Sequence, residues 1–268
     1  MRENTLPSKK DILVRHADKG KWTIDKGELK SDPRLKQDEV ELIMSVLDRE
    51  FNDLKETPLV KDGLIRSVKL GEKQFTEITN HPEFKQAGNK AVMIAMDSGR
   101  DRAQLTRALA TNRTAQLEDQ YNKDKSEDEQ MRIDILHLEA EDIAKMMADS
   151  DDSTWGPYGK MIEKGATEAE AVLQWLKDMN QPDSGVDPAI HPKESGERYK
   201  NIIQQIHKRV NVKDVPMFIF GVGHSGSLGQ LKYEKMGDQM TAEDSPTFCE
   251  MHGFDKDGNL LNTKRVDI

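Results

Sequence analysis

Three short apolar runs punctuate a chain otherwise dense in polar residues: DILVRHA (11–17), AVMIAMD (91–97) and VPMFIFGV (215–222). Each is too short for a helix that buries one stripe, and each is flanked by charged or glycine-containing sequence, as expected of strands buried on both faces in a mostly parallel sheet. Between them the apolar positions change period. Val40, Ile43, Leu47, Phe51 and Leu54 recur at steps of three and four, as do Tyr199, Ile202, Ile203, Ile206 and Val210, which predicts amphipathic helices. Alternation of the two patterns predicts an α/β fold.

Helix starts and stops sharpen this outline. Ser98 followed by Asp101, then Leu105 and Leu109, has the spacing of a capped helix, and so does Thr167 with Glu170 ahead of Val172, Leu173, Leu176 and Met179. YNKDKSEDEQ (121–130) reads as a solvated helix end or linker, and residues 181–196, with Pro182, Gly185, Pro188, Pro192 and Gly196, as a loop. TFCEMHGF and NLLNTKRV, joined by DKDG, predict a terminal β-hairpin. No internal repeat is present.

Composition narrows the class. The 268 residues suffice for one large α/β domain with an insert, and a 33% share of charged residues with mean hydropathy -0.78 suits solvated helical faces. No apolar run approaches the roughly 20 residues of a membrane helix. MRENTLPSKK has no apolar stretch of the kind a signal peptide carries. Cys249, the single cysteine, excludes an intramolecular disulfide and a cysteine-rich zinc site, so a cytoplasmic location is the expectation. A net charge of -9 argues against a nucleic-acid surface. An anionic ligand would need a local basic pocket.

Such a pocket is suggested by position. Arg15 and His16 follow DILV in the first run, Arg102 comes after the second run and His224 after the third. Ligands of open α/β sheets bind at the carboxyl ends of the strands, so the three clusters point to one place. Guanidinium forks hold phosphoryl oxygens, and an imidazole can attack phosphorus or donate to an oxygen. Taken singly, each residue has a structural reading: a hydrogen-bonded histidine at a strand end, or Arg100, Arg102 and Arg107 as a solvated helix face. Two other motifs overlap His224. Gly221, Gly223 and Gly226 form G-x-G-x-x-G, but too little chain follows for a nucleotide-binding unit. GHSGS partly mimics a nucleophile elbow with Ser225 as nucleophile and His252 as a triad partner, although Ser227 stands where the elbow has glycine. DKDGN (255–259) has calcium-loop residue types with its glycine at the wrong offset.

The motifs together resemble the histidine phosphatase superfamily, which includes the phosphoglycerate mutases. VRHADKG (14–20) resembles its Arg-His-Gly signature, SGRDRAQLT (98–106) its Ser-x-x-x-Arg-Ala-x-x-Thr helix start, KESGERYKNIIQQI (193–206) its Glu-Ser helix start and FIFGVGHSGSL (218–228) its late strand and second histidine; DPRL (32–35) is a fainter match. The resemblance spans roughly residues 10–56, 90–117 and 193–265, in the family's order. Ala17 replaces the usual glycine, and the Gly-Trp-Glu-Gly-like segment that often accompanies the acid is absent.

The resemblance implies a three-layer, phosphoglycerate mutase-like sandwich forming one domain over 1–268, with a helical insert or cap at 118–192. It implies His16 as nucleophile, Arg15, Arg102 and His224 around the phosphoryl group, and Glu139 in ILHLEAED as general acid, with Glu141 and Asp142 as rivals. No metal or organic cofactor is implied. The partner expected is a small phosphorylated molecule or a phosphoprotein, with no nucleic acid and no membrane; the oligomeric state and the particular substrate are not legible. The activity implied is that of a phosphomonoester hydrolase acting through a phosphohistidine on His16, with a phosphomutase, a catalytically weak phosphate-binding regulator and a Ser225 hydrolase as the alternatives.

Overall fold

In the computed structural model, residues 11–15, 17–23, 25–50, 56–138, 156–180, 192–210, 212, 214–264 and 266 are described. Among these residues the central sheet has six strands: β1 (Asp11–Arg15), β4 (Lys90–Asp97), β5 (Arg132–His137), β6 (Met217–Gly223), β7 (Met251–Phe254) and β8 (Leu260–Lys264), in the order β5-β4-β6-β1-β7-β8. β5, β4, β6 and β1 run parallel, whereas β7 is antiparallel to both β1 and β8. The apolar runs thus became the three central strands, and the terminal hairpin is the β7–β8 pair. A separate ribbon pairs β2 (Lys19–Thr23) with β3 (Glu56–Leu59).

Alternate residues of the central strands feed two cores, because successive side chains in a strand point to opposite faces. Ile12, Val14, Met93, Ala95, Phe218 and Phe220 pack beneath α2 (Gln37–Glu50), α3 (Lys61–Thr79) and α5 (Asp101–Asn122). Leu13, Ile94, Met96 and Ile219 pack beneath α8 (Pro192–Arg209) and α9 (Ser225–Met236), which contribute Tyr199, Ile203, Leu228 and Leu231. The result is an α/β three-layer arrangement around a mostly parallel sheet. Two short helices, α1 (Lys26–Lys30) and α4 (Pro82–Gln86), complete the first face.

Among the described residues of 118–192, the chain finishes α5, adds β5 as the outer strand of the main sheet, and forms α6 (Gly156–Glu163) and α7 (Glu168–Asn180). β5 is mostly exposed, as an edge strand can be, and its weak apolar signal hides it from a sequence reading. α7 begins as predicted: Thr167 Oγ1 accepts from Glu170 N at 3.2 Å while Glu170 Oε2 accepts from Thr167 N at 2.8 Å. Val172, Trp175 and Leu176 of this helix make a third, smaller core with Met240. Among the described residues no helix is long and apolar enough to cross a membrane.

The predicted cap at Ser98 is corrected. The N-cap residue of α5 is Arg100, which makes no side-chain cap bond. Gly99 adopts a left-handed φ of 71° and sets Ser98 outside the helix start, where its hydroxyl finds another partner.

Candidate functional site

Because β1 and β6 pair with Arg15 opposite Gly223, and β4 and β6 with Asp97 opposite Val222, the three strands end almost level. Neighbouring strands lie ~4.8 Å apart, so the ends of β1, β6 and β4 fall within roughly 10 Å of one another. The sequence-predicted residues Arg15, His224 and Arg102 therefore come to one edge of the sheet. His224 follows β6 directly, and Arg102 lies half-buried in the first turn of α5, just beyond β4. Both α5 and α9 present their N-terminal turns here, where unpaired amides and the helix dipole favour an anion. His16 and Glu139, with Glu141 and Asp142, lie outside the described residues.

Each strand end is pinned by contacts that cross between elements. His224 is buried, and its Nε2 lies 2.7 Å from the equally buried Ser98 Oγ, joining the ends of β6 and β4. Ser98 N also donates to Val222 O at 3.1 Å. Next to it, Asp97 accepts from Gly99 N at 2.7 Å and from Arg107 Nε at 2.6 Å, and Arg107 also contacts His137 at the end of β5. The loop after β1 is held by Thr106, whose hydroxyl accepts from Ala17 N at 3.0 Å and donates to Arg102 O at 2.7 Å. On its other side, Arg66 donates to Asp18 at 3.0 Å. α3 approaches so closely at Gly63 that a Cβ there would stand 2.7 Å from Asp18 O.

Arg15 is as enclosed as His224, at 5% exposure. Its Nη1 donates to Pro246 O at 2.7 Å, its Nη2 to Glu168 Oε1 at 2.5 Å, and Phe248 lies under the guanidinium with 4.0 Å from Cζ to the ring centroid. It borders a cavity of about 680 Å³ whose wall is completed by the first turn of α7 and the segment 242–248. Arg102 and His224 stand at the adjoining strand ends and are not on that wall. Segment 242–248 is itself tied down: Ser245 Oγ donates to Ala169 O at 3.0 Å, and Glu250 Oε2 accepts from Thr247 N at 2.9 Å. Glu250 in turn receives Lys232 Nζ at 2.8 Å and faces His252 at 3.8 Å, both buried. Burial alone would raise the Glu250 carboxyl, but His252 and Lys232 hold it below the usual range.

Sequence reasoning missed Ser98 as the partner of His224, and it missed Glu168, Pro246 and Phe248 altogether. Glu168 and Arg15 are 153 positions apart, and no periodicity marks such a pair. Ser225 opens α9 at a buried position, and Cys249 is buried with its amide donating to Arg15 O at 3.0 Å. Burial pushes the Cys249 thiol far up. Among the described residues no group of three or more His, Cys, Asp or Glu side chains is placed to hold a metal ion.

No protein-family model matches the chain, and no curated protein matches it in sequence. Among solved structures it is similar to phosphoserine phosphatase from Entamoeba histolytica in complex with 3-phosphoglyceric acid, at 12% identity over 96% of both chains and a TM-score of 0.46. It is also similar to a mycobacterial glucosyl-3-phosphoglycerate phosphatase in complex with VO3, at 11% identity, 97% of this chain, 98% of that one and a TM-score of 0.43. A protein titled mycobacterial hydrolase 1 matches at 10% identity over 91% of this chain and 90% of that one, with a TM-score of 0.43. Likeness of this degree concerns overall shape, and no chemistry follows from it.

Proposed function

We propose that the chain is a phosphomonoester hydrolase of the histidine phosphatase type, a single domain over 1–268 acting through a phosphohistidine on His16. The observation that carries this reading is the meeting of three motifs, far apart in sequence, at the level ends of three adjacent parallel strands: Arg15 as the last residue of β1, Ser98 and Arg102 after β4, and His224 after β6. A neutral imidazole of His16 attacks phosphorus in line; the phosphorus–oxygen bond to the alcohol breaks, and water then transfers the phosphoryl group from nitrogen to give inorganic phosphate. Arg15, Arg102 and His224 hold the non-bridging oxygens, with the α5 and α9 N-termini adding to the positive field. The leaving oxygen takes a proton from a carboxylic acid, for which Glu139 is the choice.

The test is turnover of a panel of alkyl and aryl phosphates by the wild-type protein and by His16→Ala. Abolished turnover in the variant, together with acid-labile, base-stable phosphate on His16 after rapid quenching, is the expected result. Acid-stable label on Ser225, or transfer to a second hydroxyl in place of water, would replace this reading by a serine-based or a mutase one. Glu139→Gln should slow alkyl phosphates by ~10²–10⁴-fold and aryl phosphates far less, because a good leaving group needs little protonation.

A further inference from the structure

The cavity beside Arg15 contains a carboxylate where an anion-binding site would gain from having none. Glu168 is the first residue of α7, and its Oε1 takes the Nη2 donor of Arg15 at 2.5 Å. The other partners of that guanidinium are fixed. Pro246 offers a backbone carbonyl in a segment anchored through Thr247 to Glu250 and through Ser245 to Ala169, and the Phe248 ring covers one face of the cation. The α7 backbone is equally fixed, since Ser245 binds the carbonyl of Ala169 and Thr167 is locked in its capping box with Glu170. The Glu168 side chain itself is 29% exposed and borders about 680 Å³ of open space.

Resting on the phosphatase reading above, we infer that Glu168 is an in-chain competitor for the phosphoryl group, occupying the Arg15 donor edge in the free protein and giving it up to substrate. Carboxylate and phosphate present the same pair of acceptor oxygens to a guanidinium, so the two ligands exclude each other on Nη2. A phosphomonoester dianion carries more charge than the carboxylate and also reaches the other groups at the strand ends, so it takes the arginine. Glu168 then turns into the cavity. In the absence of substrate the ion pair keeps the buried guanidinium compensated, which an empty site would otherwise leave as a costly buried charge. The same pair weakens retention of the inorganic phosphate product, because Glu168 is poised to replace it.

Binding of inorganic phosphate, followed by titration calorimetry on the full chain, tests the inference. Glu168→Gln keeps the shape and removes the charge, and it should bind phosphate about tenfold more tightly than wild type and be inhibited by it at correspondingly lower concentration. Glu168→Asp, with the charge kept but withdrawn by one methylene, should fall between them and serves if the Gln variant does not fold. Unchanged affinity in a folded Gln variant would overturn the inference, and so would weaker binding, which would mean that Glu168 props Arg15 in its binding position. If wild type and both variants bind no phosphate and His16→Ala leaves turnover unaltered, the phosphatase reading itself fails and this one with it.

Discussion

Arg15 and Arg113 are both buried arginines, at 5% and 1% exposure, yet they stand in opposite kinds of surroundings. Arg113, in the middle of α5, meets three carboxylates from two other helices: Asp38 at 2.7 Å, Glu39 at 3.2 Å and Glu72 at 2.6 Å. Gln116 and Lys69 extend the network, the latter through Glu39 at 2.6 Å. The backbones close in around it, so that a Cβ on Gly71 would stand 2.8 Å from that of Arg113. Among the described residues Arg15 meets one carboxylate, one carbonyl and one ring, and it borders a cavity. Surplus carboxylate around a cation ties helices together. A single, partly exposed carboxylate beside open space leaves the cation exchangeable.

The comparison breaks most readily at Arg113. Arg113→Met strands three carboxylates in the α2–α3–α5 packing, and removing one partner of a buried pair costs about 3–5 kcal/mol. For a chain of this size that lowers Tm by on the order of 10 °C. Turnover per folded molecule should be unchanged, as scored by thermal unfolding beside a phosphatase assay. Arg15→Met should do the reverse. Its turnover should fall by ~10²–10³ through loss of one preorganised donor, with a smaller change in Tm because the methionine still packs on Phe248. Equal thermal losses in the two variants would erase the distinction.

A pH series sharpens the same contrast. Burial would raise the carboxyls of Asp38 and Glu72, but it is outweighed by hydrogen bonds from Arg113 and Gln120 to Asp38, and by the Arg113 hydrogen bond and the nearby Lys69 charge at Glu72. Both therefore lie below their ordinary carboxylate values. A carboxyl depressed on folding adds stability that is complete above its unfolded pKa and is lost as pH falls toward the folded one. Tm should drop steeply below about pH 4 in the wild type, and the gap between wild type and Glu72→Gln should close over the same range. The smallest effect is expected at Ser98→Ala. Loss of one buried hydrogen bond to His224, worth ~1 kcal/mol, should lower kcat/KM about fivefold with little change in Tm; unaltered kinetics would mean that Ser98 does not orient the imidazole.

How much of this was legible in the sequence follows from the range over which each signal acts. The central strands announce themselves because burial on both faces demands an unbroken apolar run, and Thr167 with Glu170 because a capping box is complete within four residues. α5 offers no stripe. Its buried set includes Ala103, Leu105, Thr106, Ala108, Leu109, Ala110, Thr111, Arg113 and Thr114, which wraps most of the helix, so Arg113 looks like any solvated helical arginine. β5 and the β2–β3 ribbon are too polar to register. At the site, the strand ends that carry Arg15 and His224 were readable from local pattern. Ser98 was read as a cap because its spacing suits one, and only the left-handed turn at Gly99 and a histidine 126 positions away show otherwise. The pairing of Arg15 with Glu168 is a product of tertiary packing alone.

Cys249 gives this molecule a built-in clock. The sole thiol is sealed at 0% exposure in a left-handed turn with φ 55°, and its amide is bound to the carbonyl of the residue that carries the candidate phosphate ligand. A thiol so buried is inert toward alkylating reagents until the corner between β1 and β7 opens, so the rate of its labelling measures how often that corner opens. Ligands that settle against Arg15 should slow the clock, and the slowing can be timed without any knowledge of what the protein turns over.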